Sequence, residues 1–127
     1  MPVTDSRPIL NNPFKYRFPI TAIASIAHRL TGVVLFFAIP CTLWAMHLIA
    51  SSPSDFAHLS ACLQSVLGKL AIWVILVSLA YHVLAGIRHL VMDCGFAESL
   101  AAAKFSSWLV LILAVVIMII LGVWLWV

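Results

Sequence analysis

The chain has 127 residues, of which 65% are hydrophobic and only 9% are charged, and its formal net charge is +3. A soluble domain keeps about a quarter of its residues charged, so this chain has too few charges to cover a surface that faces water. The composition excludes a separate soluble domain and therefore an independent aqueous enzyme site, and the basic residues form no patch that would bind nucleic acid.

Three apolar stretches are each long enough to cross a bilayer, which takes about 20 residues of helix. They cover approximately residues 20–50, 67–92 and 105–127. Lipid offers the backbone no hydrogen-bonding partner, and no stretch alternates apolar and polar residues, so all three are predicted as helices. The first is too long and begins too late for a cleaved signal peptide. The sequence therefore predicts a single all-α membrane domain over residues 1–127 with three transmembrane helices.

The segments outside these stretches are short. Residues 1–19 hold four of the six prolines and are predicted to form an extended arm. The segment SSPSDFAHLSA after the first stretch is predicted as an exposed connection. After the second stretch, Gly95 is predicted to end the helix, and Arg88 and Asp93 are expected to form a charge cluster at the membrane interface. The cysteines match no C-x-x-C or C-x-x-C-H motif, so they are predicted as free thiols: Cys41, Cys62 and Cys94.

The basic residues predict an orientation. With three spans, six of the seven lie on the N-terminal side of the membrane, and only Lys69 lies on the other side. Because basic residues accumulate in cytoplasmic segments, the N-terminus is predicted to be cytoplasmic.

His82 lies close to the middle of the second stretch, only roughly 4.5 Å along the helix from its midpoint. An ionisable side chain at such a depth is costly and is a candidate functional residue. The sequence alone leaves two interpretations open, a ligand for a cofactor or a hydrogen bond that holds another helix. If His82 is a haem ligand, no histidine elsewhere in the chain lies at a matching depth, so a second ligand would have to come from another subunit.

A polar stripe marks the beginning of the first helix. Its members share one face of about 100°: Thr21, Ser25, His28, Arg29 and Gly32. The Ser25 hydroxyl can hydrogen-bond a ligand carbonyl and Arg29 can stabilise a developing anion. Alternatively, Arg29 extends to lipid phosphates while Ser25 packs against a helix.

Two motifs resemble a known family. RFPITAIASIAHRLTGV contains S-x-x-H-R-x-T-G, and AYHVLAGIRHLVMDCG, some fifty residues later, contains H-x-x-x-G-x-R-H. Together with the three spans they resemble the cytochrome b membrane-anchor subunit of succinate dehydrogenase. The resemblance implies a second membrane-anchor subunit, a flavoprotein subunit and an iron–sulfur subunit, in a complex that passes electrons from succinate to ubiquinone in the bacterial inner membrane.

The resemblance also implies roles for individual residues. His82 matches an axial ligand of the iron of haem b, which lies between the two anchors. Ser25 and Arg29 match positions that line the quinone pocket, and His28 and His89 are implied neighbours of the haem propionates. The chain would not be catalytic alone. The alternatives are a cofactor-free structural anchor and the anchor of a fumarate reductase, and a transporter component is disfavoured because the third span has no ionisable residue.

Overall fold

The computed structural model describes residues 18–127, which form four α-helices: α1 (Ile20–Ser51), α2 (Pro53–Gln64), α3 (Val66–Asp93) and α4 (Leu100–Trp126). Helices α1, α3 and α4 are long and apolar enough to cross a membrane. The predicted all-α fold with three spans is therefore confirmed. The predicted arm lies outside the described residues, except for Phe18 and Pro19.

The segment after the first span is mostly exposed, as predicted, but it also forms a helix, α2, which the sequence analysis did not foresee. The Ser52 side chain caps this helix by accepting a hydrogen bond from the Asp55 backbone N–H (3.1 Å). In turn, the Ser52 hydroxyl donates to the Asp55 carboxylate (2.8 Å). Pro53 occupies the first turn, where its missing N–H costs no helical hydrogen bond. The sequence S-P-S-D therefore contained a helix-start signal that outweighs its loop-like composition.

Helix α3 begins and ends with local signals in the sequence. Ser65 caps its start by accepting from the Gly68 N–H (3.1 Å), and a Cβ at Gly68 would collide with the carbonyl oxygen of Cys62. At its end, Gly95 has a φ of 83°, which favours glycine. The Gly95 N–H donates to Met92 O (2.9 Å) and the Phe96 N–H to Val91 O (3.2 Å), as in a Schellman motif. The predicted stop at Gly95 is confirmed.

Helix α4 begins at Leu100, five residues before the predicted start of the third span. The Ser99 side chain caps it by accepting from the Ala102 N–H (3.3 Å). The prediction followed hydropathy and so began after Lys104, whereas alanines 101–103 are strong helix formers that continue the helix beyond the apolar segment.

The three long helices run antiparallel to their neighbours in sequence. The beginning of α1 contacts the end of α3 at His28 and His82, and the end of α3 contacts the beginning of α4 at Arg88 and Ser106. The core between them is small and consists of Tyr81, Ala85 and Val110. Most large apolar side chains are exposed, so they are available to lipid or to other membrane helices.

Candidate functional site at the histidine stack

Three histidines from two helices form a stack, which we call the histidine stack: His28 of α1 with His82 and His89 of α3. The His28 ring centroid lies 4.1 Å from that of His82 and 5.0 Å from that of His89, with interplanar angles of 23° in both pairs. The spacing of seven residues places His82 and His89 on one face of α3. All three residues were candidates from the sequence, and α1 and α3 bring them together.

The hydrogen bonds of His82 determine which of its ring nitrogens is protonated. Its Nδ1 lies 3.1 Å from the backbone oxygen of His28, and a carbonyl oxygen can only accept a hydrogen bond. Nδ1 is therefore the protonated nitrogen, and in the neutral ring Nε2 keeps a free lone pair. This Nε2 makes no hydrogen bond within residues 18–127, and it is not buried. The ring therefore offers an accessible nitrogen lone pair, which can ligate a metal.

Two further residues of α1 lie against the His82 ring. The Thr31 hydroxyl oxygen lies 3.3 Å from His82 Nδ1. A Cβ at Gly32 would lie 3.1 Å from His82 Cε1, which is tighter than an ordinary van der Waals contact. The motif T-G at positions 31 and 32 thus places a hydroxyl group beside the ring and, next to it, a residue without a side chain that lets the ring approach α1.

The other two histidines of the stack have different free atoms. His28 Nε2 is the one buried side-chain nitrogen or oxygen without a hydrogen-bond partner in the described part of the chain. It faces α3, where it lies 3.8 Å from the position that a Cβ at Gly86 would take. The Nδ1 of His89 lies 2.7 Å from Ala85 O and must donate to it, so His89 Nε2 is its free acceptor. For an external ligand, His28 therefore offers Nδ1 and His89 offers Nε2.

Ser25 and Arg29 lie on α1 beside the histidine stack, three residues before and one residue after His28. Ser25 is half-buried and Arg29 is exposed. Within residues 18–127 neither side chain makes a hydrogen bond or an ion pair, so both polar groups remain available. The structure thus places the predicted quinone residues in the same half of the bundle as His82, on the helix whose His28 stacks on the His82 ring.

The predicted interfacial cluster of Arg88 and Asp93 is wrong. Arg88 is only 9% exposed, and its Nε donates to Ser106 Oγ (2.9 Å) and its Nη2 to Ala103 O (3.2 Å), both on α4. Asp93 is exposed. Residues five apart on a helix point about 140° away from each other, so these two side chains leave α3 on different faces.

Tyr81 is a residue of this region that the sequence analysis missed. It is buried, and its hydroxyl donates to the backbone oxygen of Ala24 on α1 (2.9 Å). Ala24 directly precedes Ser25, so Tyr81 fixes the helix that presents the predicted quinone residues. The available signal was the spacing of seven between Tyr81 and Arg88, two polar side chains on the buried face of an otherwise apolar helix.

No group of three or more His, Cys, Asp or Glu side chains in residues 18–127 could hold a metal ion. In the histidine stack the rings lie face to face, so their nitrogens do not converge on one point. The three cysteines are free, as predicted, and all three are exposed.

Comparison with known proteins agrees with the sequence motifs. Residues 3–121 match the model of the succinate dehydrogenase/fumarate reductase transmembrane subunit family. A succinate dehydrogenase cytochrome b556 subunit of Coxiella burnetii is 38% identical over 121 residues, covering 94% of this chain and 97% of the relative. Subunits of the same name are 35% identical in Paracoccus denitrificans, covering 80% of this chain and 78% of the relative, and 28% identical in Rickettsia prowazekii, covering 95% and 94%.

These relatives and the three membrane-length helices identify a multi-pass protein of the bacterial inner membrane. The chain belongs to the family of succinate dehydrogenase and fumarate reductase transmembrane subunits.

Proposed function

We propose that this chain anchors a succinate dehydrogenase in the membrane, ligates the iron of haem b through His82, and forms part of the ubiquinone-reduction site with Ser25 and Arg29. The observation that supports this most strongly is the state of His82. Its Nδ1 donates to a backbone carbonyl and its Nε2 is accessible and unbonded, which is the arrangement that orients a histidine for metal ligation.

The residues fit a haem better than a free metal ion. A protein site for a free ion needs several converging side chains, and residues 18–127 contain no such group. A haem would bring four nitrogens of its own and would need only one or two further ligands from the protein. His82 Nε2 can supply one of them, and the second would come from a histidine of another membrane-anchor subunit. Haem b, when bound, supplies a one-electron redox centre.

The remaining histidines fit the edge of such a group. His89 Nε2 and His28 Nδ1 are the ring nitrogens left free by the contacts inside the chain. When they bear a proton they can donate to carboxylates, which is the chemistry that haem propionates require. We assign His28 and His89 this role because they stack at the end of the bundle where the basic residues Arg29 and Arg88 lie.

Ser25 and Arg29 provide the chemistry of the quinone site. The Ser25 hydroxyl has no partner within the described residues and can donate to a carbonyl oxygen of ubiquinone. The Arg29 guanidinium can stabilise the negative charge that develops on the ring during reduction. Tyr81, bonded to Ala24 O, holds this turn of α1 against α3. Oxidation of succinate itself belongs to the flavoprotein and iron–sulfur subunits.

The positive-inside distribution supports a cytoplasmic N-terminus for this arrangement. Arg29, Arg88 and Lys104 then lie at the cytoplasmic end of the bundle, where soluble partner subunits would dock, and Lys69 at the opposite end. The quinone site would therefore take its protons from the cytoplasmic side.

Two substitutions test the proposal in the purified complex. We expect His82→Ala to abolish or strongly reduce the b-type haem absorption, because it removes the axial nitrogen. Ser25→Ala should lower succinate:ubiquinone activity roughly tenfold or more, the cost of about 1.4 kcal/mol or more for a lost hydrogen bond, while succinate oxidation by an artificial acceptor stays unchanged. The measurements are reduced-minus-oxidised spectra and both activities.

His58→Ala on the exposed face of α2 is the matched control, since it removes an imidazole at the other end of the bundle. Haem content equal in the His82→Ala and His58→Ala complexes would exclude haem ligation by His82. A parallel fall of both activities in Ser25→Ala would exclude a specific quinone role and favour a cofactor-free structural anchor.

A further inference from the structure

We infer that Thr31 is a positioning residue for His82: its hydroxyl accepts a second hydrogen bond from His82 Nδ1 and so adjusts the electron donation of the ring through Nε2. This inference rests on the proposed ligation of haem by His82. It is drawn from three short contacts of the Thr31 hydroxyl oxygen, to Ala27 O (3.0 Å), His28 O (2.9 Å) and His82 Nδ1 (3.3 Å).

The direction of these hydrogen bonds follows from the carbonyl groups. A hydroxyl has a single proton, and both Ala27 O and His28 O can only accept, so the Thr31 proton points to one of these oxygens of its own helix. His82 Nδ1 is protonated because it also lies 3.1 Å from His28 O. The remaining contact can therefore run in only one direction, from His82 Nδ1–H to a lone pair of Thr31 Oγ1.

The backbone around Thr31 holds the hydroxyl in this place. Threonine is β-branched and stiff at χ1, and a hydroxyl that bonds back to the preceding turn fixes its rotamer. The neighbouring Gly32 lets the ring approach to a distance at which a Cβ would be in tight contact. His28 covers the ring on its face, with centroids 4.1 Å apart. The His82 ring is thus held by α1 from three sides, and Thr31 is the side-chain partner of its Nδ1–H.

A second acceptor on Nδ1–H has a definite electronic effect. It draws the Nδ1 proton away from the ring and makes the imidazole a stronger donor through Nε2. A stronger axial donor stabilises ferric over ferrous iron and lowers the reduction potential, which outer hydrogen bonds are known to adjust in haem sites. Removing the Thr31 hydroxyl should therefore raise the haem potential without removing the ligand.

The test is a redox titration of haem b in the intact complex, together with the electron paramagnetic resonance spectrum of the ferric haem. In Thr31→Val, which keeps the branched shape but loses the hydroxyl, we expect normal haem content. At a fixed solution potential the ratio of reduced to oxidised haem should be roughly threefold higher than in the wild type. This is the size of effect expected when Nδ1–H loses one of its two acceptors. The g values of the ferric signal should shift with it.

Two other variants separate the hydroxyl from packing. Thr42→Val is the matched control, because Thr42 also lies on α1 and donates to the carbonyl four residues earlier, Ala38 O (2.9 Å), but contacts no histidine. Thr31→Ser keeps the hydroxyl and removes the methyl group. The inference requires Thr31→Ser and Thr42→Val to match the wild type while Thr31→Val differs.

Other outcomes overturn it in distinguishable ways. If Thr31→Val titrates like Thr42→Val, the hydroxyl does not adjust the haem potential and the positioning role is wrong. If Thr31→Ser shifts while Thr31→Val does not, the methyl group and not the hydroxyl matters. Neither result affects the ligation by His82. If the wild-type complex has no haem, or His82→Ala keeps it, the proposed ligation fails first and takes the role of Thr31 with it.

Discussion

The two ends of the helix bundle are built in different ways. At the end that contains the histidine stack, side chains of α3 hydrogen-bond to both neighbouring helices: His82 and Tyr81 to α1, and Arg88 to α4. At the opposite end, one side-chain hydrogen bond between spans occurs in the described residues, from Trp73 Nε1 to Met118 O (3.1 Å). An open groove of about 430 Å³ lies there between α1, α2 and α3, with apolar side chains and two cysteines in its lining.

The contrast indicates which part of the bundle positions its helices through polar contacts. In lipid, apolar side chains gain little by leaving one apolar environment for another, so polar contacts and close packing position the helices. The histidine end concentrates such contacts and also the free polar atoms of Ser25, Arg29, His82 and His89. The far end has one such hydrogen bond between spans, from α3 to α4, and otherwise depends on packing. Substitutions at the two ends should therefore differ in both size and kind of effect.

The largest loss of bundle stability is expected from Arg88→Lys. Lysine keeps the buried positive charge but cannot reproduce the two hydrogen bonds that the guanidinium makes to Ser106 Oγ and Ala103 O. A hydrogen bond to a charged group contributes about 1.5–3 kcal/mol, so we expect the complex to lose about 2 kcal/mol of stability. The measurement is the thermal midpoint of the detergent-solubilised complex, followed by haem absorption.

Ser106→Ala provides the internal comparison for Arg88. It removes one of the two acceptors and leaves Ala103 O, so its loss should be about half as large. Equal stability of wild type and Arg88→Lys would mean that the contact to α4 does not hold α3 in place.

A smaller and more local effect is expected from Gly32→Ala. The new Cβ would lie 3.1 Å from His82 Cε1, so either the ring or α1 must shift slightly, at a cost of about 1 kcal/mol, the lower end of the usual range for overpacking. We expect reduced haem content or an altered ferric spectrum, with little change in the amount of anchored complex.

Gly86→Ala is the matched control for Gly32, because its Cβ would meet His28 Nε2 at 3.8 Å, an ordinary contact. Alanine also favours the helix by about 1 kcal/mol over glycine. If Gly86→Ala disturbed the haem as much as Gly32→Ala, the effect would come from helix rigidity and not from the approach to His82.

The fold was largely predictable because its signals are local and strong. Three long apolar stretches must be helices in lipid, and Gly95 marks an end that any L-side chain would strain. Helix α2 was missed because hydropathy outweighed the cap at Ser52, and the start of α4 because Lys104 lies outside the apolar segment although it does not interrupt the helix. Capping residues and helix propensity, read together, would have corrected both.

The three histidines of the stack could be singled out as candidates from the sequence, but their arrangement could not. His82 and Ser25 are conspicuous because polar groups are expensive at their depth. The roles of Tyr81 and Arg88 depend on which face of α3 meets α1 and which meets α4. Because α3 is apolar on nearly all sides, its sequence does not determine how the helix is rotated about its axis. The Arg88–Asp93 prediction failed for this reason, since closeness along the chain was taken for closeness in space.

The smallest effect is expected at the far end, from Trp73→Phe. This change keeps one aromatic ring on the side that packs edge-on against Trp126, with centroids 6.3 Å apart. It removes the donor to Met118 O together with the small pyrrole part of the indole. Hydrogen bonds between membrane helices contribute about 0.6 kcal/mol on average, so the thermal midpoint should fall slightly. Trp73 lies nine residues from His82, roughly 13.5 Å along α3, so the haem potential and spectrum should stay unchanged. A change in the haem signal as large as that of Gly32→Ala would show that the far end also sets the rotation of α3, and that the two ends are not independent.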